Sequence, residues 1–390
     1  MYDDLNSYSN NLIFKKLFDI DYPVVGLSPM DGITNSIFRQ IVKKNGNPDI
    51  MFTEFEHVTA IINALENVID TLSYTEEERP IIAQIYGSNP EHFYHVAKLI
   101  CALGFDGIDI NMGCPAKNVV NSNAGAGLIR QPNLALEIIK SVKQGVEDWV
   151  KTQQISGFNE KKLETITKLI QMKQSYVKLI YNNKQIIYPG ILNLINQQKV
   201  KIPVSVKTRI GYDVPITEKW ISTLDKVKPD WISIHGRTLK QMYAPYAKWD
   251  EIAIGVKSTS APVLANGDIR TKNDVDRVLE ITNAVGVLIG RAALENPIVF
   301  RNIKNTSNNR EDTELNTIKQ KIISIIYEHA KKFFEVYGNK NFVQMRKHFG
   351  WYAKYVGINK ETRIKLIQVS SFEEFEQLFK QEIIQTVFTN

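Results

Sequence analysis

The chain has 390 residues, of which 43% are hydrophobic and 23% charged. That is more than one average domain and fewer than three, and it excludes collagen-like and broadly disordered classes. Two cysteines rule out a disulfide framework or a cysteine-rich zinc site. So few cysteines make a reducing, cytoplasmic setting the expectation, and MYDDLNSYSN carries acids where a secretory leader carries bases. No apolar run reaches membrane-spanning length, so no membrane partner is expected. The net charge of +6 is segregated: Lys and Arg exceed Asp and Glu by seven over residues 151–201 and by five over 301–390. Segregated basic surface suits a polyanionic partner, and a solvated lysine-rich surface is the plainer reading of the same numbers.

Short β-branched runs follow one another at VVGLS (24–28), MFTEF (51–55), IIAQIYG (81–87) and GIDINMG (107–113). Four more come at VSVKTR (204–209), WISIHGR (231–237), PVLANG (262–267) and AVGVLIG (284–290). Most are continuously apolar, as parallel strands buried on both faces require. Helical segments separate them, such as NPEHFYHVAKLICALG (89–104), where Asn89 reads as an N-cap, Pro90 as the first helical residue and Gly104 as the stop. Eight such units predict an α/β fold, a (β/α)₈ TIM barrel over residues 1–303, against an open doubly wound sheet as the competing fold.

The fourth unit is too long. After LALEIIKSVKQGV (134–146) comes an insertion of about residues 147–201, basic and containing an expected amphipathic helix near 160–181 with Leu163, Ile166, Ile170, Val177 and Ile180 on one face. Without 151–200 the barrel is left with roughly 240 residues, close to the usual size. The polar stretch 304–314 reads as a linker, and residues 315–390 as an all-helical domain. Its patterns lie at 315–338 and 341–357, and a last helix follows Ser371, spaced from Glu374 as a capping box.

Active sites of such barrels gather at the C-terminal strand ends. Those ends carry Ser28-Pro29-Met30, Thr53-Glu54, Gln84, Asn111 to Pro115, Lys207 with Arg209, His235-Gly236-Arg237, Asn266-Gly267-Asp268 and Gly290-Arg291. The last two strand ends suit a phosphate: glycine admits close backbone approach and Arg291 can pair with the anion. Gly125-Ala126-Gly127 follows no strand and lacks a third glycine, so it reads as a turn rather than a dinucleotide fingerprint. Lys207, His235 and Gln84 are donors of the kind a flavin ring needs to stabilise its reduced anion and meet its pyrimidine edge. A snorkelling barrel lysine and a satisfied structural histidine are the alternatives for Lys207 and His235. The six histidines show no paired ligand spacing, so no metal is expected. Cys114, on a short loop between Gly113 and Pro115, reads as a nucleophile or proton donor, and Cys101 as a buried helix residue.

Taken in order, SPMDGITNSIFR (28–39), TEF (53–55), QIYGSNP (84–90), IDINMGCPAKNVV (108–120), VKTRIG (206–211), HGRTLKQMY (235–243), ANGDI (265–269) and LIGRAALENP (288–297) resemble the tRNA-dihydrouridine synthase family. The resemblance spans roughly residues 20–300 and extends to MRKHFGWY (345–352), which is similar to that family's helical tRNA-binding domain and leans towards the bacterial B-type branch. The insertion departs from the family pattern.

The resemblance implies an FMN enzyme that reduces the C5–C6 double bond of particular uridines in tRNA, with NADPH or NADH as reductant. By motif, Pro29, Met30, Asp31 and Gln84 would contact the flavin ring, and Lys207 and His235 its N1 side and ribityl chain. Asn266, Gly267, Asp268, Gly290 and Arg291 would hold the phosphate. Hydride would reach uracil C6 from the flavin while Cys114 protonates C5 from the other face, with Asn111 positioning the uracil. Arg346, Lys347 and Lys354 would meet tRNA phosphates, and the insertion would add RNA-binding surface. A monomer without a protein partner is expected. Two alternatives stay open: a flavin barrel acting on a free pyrimidine or other small molecule, and a non-catalytic RNA-binding protein on the same scaffold.

Overall fold

All eight apolar runs form parallel strands in a computed structural model that describes Phe18 and residues 22–171, 176–181, 184–189, 201–305 and 311–383. In chain order the strands are β1 (Val24–Leu27), β2 (Met51–Phe52), a short β3 (Glu56–His57), β4 (Ile81–Tyr86) and β5 (Gly107–Met112). They continue with β6 (Tyr176–Tyr181), β7 (Lys184–Pro189), β8 (Val204–Arg209), β9 (Ile232–His235), β10 (Val263–Asn266) and β11 (Gly286–Ile289). The large sheet runs β1-β11-β10-β9-β8-β5-β4-β2. Leu27 N donates to Ile50 O (2.9 Å) and Asp49 N to Val25 O (3.0 Å), which joins the two end strands and closes a (β/α)₈ barrel.

Two compact units divide the chain: Met1–Ser36, Asp49–Ile269 and Asn273–Ile289 form the first, and Ile37–Pro48, Arg270–Lys272 and Gly290–Asn390 the second. The first unit holds the barrel, whose interior is graded. At its N-terminal end Val24, Ile50, Phe52, Ile82, Trp231, Leu264 and Leu288 form a buried cluster, with Phe18 packed against it, 5.6 Å from the Trp231 ring. Burying each such side chain contributes about 1.5–3 kcal/mol. Further along the strands the inward positions turn polar, as two-residue alternation carries Asp109, Ser205 and Lys207 to the same interior. The helix Pro90–Ala102 begins as expected, with the Asn89 side chain accepting from the Glu91 and His92 amides.

The insertion differs from expectation. The preceding helix continues to Thr152 because Val142, Val146 and their turn neighbours keep its apolar face. The expected helix over 160–181 is two elements: a helix at Glu160–Gln171, and β6 paired antiparallel with β7. Leu163 and Ile166 lie on the helix, whereas Val177 and Ile180 lie in β6. The runs YVKLIY and KQIIYP are rich in β-branched and aromatic residues, and that local preference outweighs a stripe that merely fits a 3.6-residue period. Ile166 is buried, and Lys162 Nζ donates to the carbonyls of Ile62 and Asn63 at 2.7 Å each, so the start of the insertion is tied to the rest of its unit.

The second unit is helical. A helix spans Glu311–Asn341, so it starts inside the stretch 304–314 expected to link, and bends at Gly338. Helices Arg346–Val356, Lys360–Leu366 and Phe372–Leu378 follow, the last N-capped by the Ser371 side chain on the Glu374 amide. Their core gathers Ile322, Ile326, Phe342, Phe349, Tyr352 and Phe375, with the rings of Phe349 and Phe375 stacked at 4.7 Å. Among the described residues no helix is long and apolar enough to cross a membrane.

Candidate active site

The polar half of the barrel interior is one connected hydrogen-bond chain. Asp109, fully buried on β5, accepts from Ser205 Oγ (2.6 Å) and from Gln84 Nε2 (2.7 Å). Gln84 Oε1 accepts from Asn111 Nδ2 (3.0 Å), and Asn111 Oδ1 accepts from the amides of Gly113 (3.0 Å) and Cys114 (2.8 Å). The chain therefore runs from the barrel floor to the loop that carries the thiol. Burial raises the Asp109 carboxyl to about 6, against the opposing pull of the Ser205 and Gln84 hydrogen bonds and the Lys207 charge.

Two residues expected to meet ligands are members of this chain. Gln84 is buried, with its amide nitrogen bonded to Asp109 and its oxygen to Asn111. Asn111 holds the Cys114 loop through Oδ1, and the second N–H of its Nδ2 is the part left for a substrate.

Cys114 at the mouth and Cys101 on its helix are both half-buried, and burial pushes the Cys101 thiol well up. Burial pushes the Cys114 thiol up and Asp31 adds to that, while a backbone hydrogen bond at Ala116 and the Arg209 and Lys207 charges pull it down. Gly125, at φ +55°, lies so close that a Cβ there would stand 2.9 Å from the Cys114 carbonyl oxygen. The Gly125–Arg130 run forms a 3-10 helix, consistent with its reading as a turn.

Lys207, at the register of Asn111 on β5 and Ser233 on β9, is drawn down to about 8 by burial and by the neighbouring Arg209 charge. The groups that favour its charge are Asp109 and Cys114, and burial biases both towards their neutral forms. Buried Arg209 donates from Nε to Gly113 O (2.7 Å) and from Nη1 to the carbonyls of Thr238 (3.0 Å) and Met242 (3.3 Å). Burial pulls it down to about 10. Two cations thus stand at the mouth beside a carboxyl and a thiol whose ionisation burial disfavours, an arrangement suited to a bound group that acquires negative charge.

On β9 and β10, Arg237 Nη1 donates to His235 Nε2 (3.1 Å), which sets the proton of the neutral ring on Nδ1. Arg237 also pairs with Asp268 at 2.5 Å, and the Asp268 carboxylate accepts from the Ala247 amide (2.7 Å). That carboxylate holds the loop together, so its main chain, rather than its acid, is suited to a phosphate. Gly267 has φ +121°, and a Cβ there would stand 2.9 Å from the His235 ring. Asn266 Nδ2 donates to Leu288 O (2.7 Å). Pro29, Met30 and Asp31 follow β1 on the loop where Met30 N donates to Thr34 Oγ1 (3.1 Å), and Asp31 acts electrostatically on Cys114.

Gly290 and Arg291 fall in the second unit, where Gly290 precedes the helix Arg291–Glu295. Arg346 is half-buried, and its guanidinium donates to the carbonyls of Val369 (2.8 Å) and Gln368 (2.7 Å), clasping a turn. Lys347 is half-buried on the same helix, and Lys354 is exposed, 4.0 Å from Glu295. Sequence reasoning passed over Asp109 and the clasping role of Arg209. An acid in the middle of a buried, mostly apolar strand was the available signal for the first.

A closed parallel barrel with a thiol loop, paired cations and a histidine at its C-terminal mouth defines an oxidoreductase barrel suited to a group that gains charge on reduction. A family model for dihydrouridine synthase (Dus) matches residues 26–175 and 180–388. A probable tRNA-dihydrouridine synthase 1 of Synechocystis is 27% identical over 359 residues, covering 91% of this chain and 85% of that protein. A probable tRNA-dihydrouridine synthase of Staphylococcus aureus is 27% identical over 370 residues, covering 92% and 93%. The second such protein of Bacillus subtilis is 28% identical over 334 residues, covering 82% and 86%. The chain belongs to the dihydrouridine synthase family, whose members are flavin-dependent oxidoreductases.

Proposed function

We propose that this protein reduces the C5–C6 double bond of specific uridines in tRNA to 5,6-dihydrouridine, using FMN and a nicotinamide reductant, NADPH or NADH. The observation that carries the reading is the thiol of Cys114, held on its loop by the Asn111 carboxamide and lying within the field of Lys207 and Arg209. FMN, when bound, supplies the hydride that reaches C6. The residues fit it: Lys207 and His235 offer charge and a donor to its ring, and the glycine-rich turn Asn266-Gly267-Asp268 offers main-chain groups to its phosphate.

Cys114 delivers its proton to C5 and becomes a thiolate. Protonating carbon calls for an acid of moderate strength, and two adjacent cations favour the charge the thiol acquires. Asn111, through its second amide N–H, holds the uracil edge. The nucleotide is unstacked from its RNA to reach the mouth, which costs a few kcal/mol that phosphate contacts elsewhere offset.

The test is turnover by the purified, flavin-loaded protein with unmodified tRNA, scored as dihydrouridine. Cys114→Ala is expected to lower turnover about 10²- to 10⁴-fold while the flavin absorbance and tRNA binding persist. Full activity in that variant refutes the acid role. Equal reduction of free uridine and tRNA refutes the tRNA assignment.

A further inference from the structure

The loop that follows β9 carries more than the mouth chemistry requires. Its residues 236–248 include Arg237, Lys240 and Lys248 and no acid. At its tip Tyr243 is 60% exposed and Tyr246 is 86% exposed, with Met242 exposed beside them. Aromatic side chains in water are normally covered, and two of them at the end of a short loop mark a surface that another group covers.

The loop is held in shape before anything binds. At its start Thr238 N donates to Gln241 Oε1 (2.8 Å), and Met242, at φ +51°, turns the chain outwards. At its end Ala247 N is bonded to Asp268, and Lys248 N donates to Gly236 O (2.7 Å). Leu239 and Lys240 donate their amides to Gly211 and Tyr212 of the β8 loop, at 3.0 Å each. There the Arg130 guanidinium lies 3.5 Å from the centre of the Tyr212 ring. Buried Arg209 joins this assembly to the reacting centre, because one guanidinium binds Gly113 of the thiol loop and Thr238 and Met242 of the tyrosine loop. Aromatic rings interleaved with cations, and fixed relative to a catalytic group, are the pattern by which proteins hold unstacked nucleotides.

We propose that Tyr243 and Tyr246 form a stacking platform for the bases that flank the extruded uridine, with Lys240 and Lys248 tracking their phosphates. This rests on the reading of RNA as the substrate. The pre-set loop means that little order is lost when the bases land, so stacking energy goes into affinity. Because Arg209 connects platform and thiol loop, bases seated on the tyrosines also set the register of the target base over Cys114.

The experiment uses the flavin-loaded holoenzyme and two probes: an unmodified tRNA transcript, and a short single-stranded RNA containing 2-aminopurine. Stacking on a tyrosine quenches the 2-aminopurine fluorescence. Y243A/Y246A is expected to lose that quenching, to weaken RNA binding about 5- to 150-fold per stacked base, and to raise KM for tRNA, with the flavin absorbance retained as evidence of folding. Y243F/Y246F recovers the quenching and the affinity, because the ring and not the hydroxyl stacks. Unchanged quenching and affinity in the alanine variant overturn the platform, as does a loss of self-association with RNA affinity unchanged, which assigns the tyrosines to a protein contact. If the wild-type protein quenches the probe yet makes no dihydrouridine in tRNA, the proposed function fails while the platform stands.

Discussion

Lys207 carries a conflict that its position creates. Burial and Arg209 hold its ammonium down to about 8, well under the ordinary lysine range, so the folded protein carries a cation it would shed more readily than the unfolded chain does. Between about pH 8 and 10 the unfolded chain binds more protons at this residue, and stability therefore rises with pH across that window. At neutral pH the fold bears the full penalty. Lys207→Met is expected to raise the stability of the flavin-free protein at pH 7 by about 1–3 kcal/mol and to flatten its pH dependence between 8 and 10. The same variant should lose most turnover, since the mouth loses a cation. Thermal melts at pH 7 and pH 9 check the first half and tRNA turnover the second; a variant that melts lower at pH 7 contradicts the account.

At the scale of elements, the helix Glu311–Asn341 brings His329 against His348 of the helix Arg346–Val356, with ring centroids 4.7 Å apart. His329 Nδ1 is 3.0 Å from the Tyr352 hydroxyl, and Phe38 packs against both rings. His329 Nε2 and His348 Nδ1 are buried without hydrogen-bond partners among the described residues. Burial lowers both imidazoles, His329 to about 3. The unfolded chain takes up protons at these sites below about pH 6.5 and the folded unit does not, so stability is lost as pH falls through that value. Between pH 6.5 and 5 the loss is expected to be about 1–2 kcal/mol per histidine. His348→Phe, which keeps a ring against Phe38, should roughly halve the slope; circular dichroism melts at pH 5 and 7 measure it, and an unaltered slope contradicts the assignment.

Legibility also divides by element. The eight strands were plain in the sequence because both faces of a parallel strand are apolar, and the strand ends then located the mouth. The β6–β7 hairpin was hidden because the five apolar and aromatic residues of YVKLIY fit a helical stripe as well as a strand. Asp109 was hidden for another reason: in IDIN the acid alternates inwards, and its purpose is visible only once Ser205 and Gln84 stand beside it. The bonds of Arg346 to Val369 and Gln368 were hidden because a cation on a helix looks the same in sequence whether or not its guanidinium clasps a turn.

For the whole molecule, charge rather than shape is the quantity to test. The stretch 151–201 has nine lysines and two glutamates, while 202–300, which holds strands β8 to β11, exceeds neutrality by only two. The helix at Glu160–Gln171 belongs to the packed part of its unit through Ile166 and Lys162, so a deletion that removes it would disturb folding as well as charge. Residues 172–199 contain four lysines and no acid. Replacing them by a short Gly-Ser linker separates the two effects. Each lysine that neutralises an RNA phosphate releases a counterion, and for single strands and duplexes the slope of log K against log salt changes by about 0.7–0.9 per contact. The replacement is expected to weaken tRNA binding most at low salt and to reduce the slope by about one to three units, with the flavin spectrum preserved. Binding titrations from low to moderate salt decide the matter. A slope equal to that of the intact chain means that these lysines face water and that the RNA charge is met elsewhere, leaving the C-terminal excess of five as the basic block that remains to account for it.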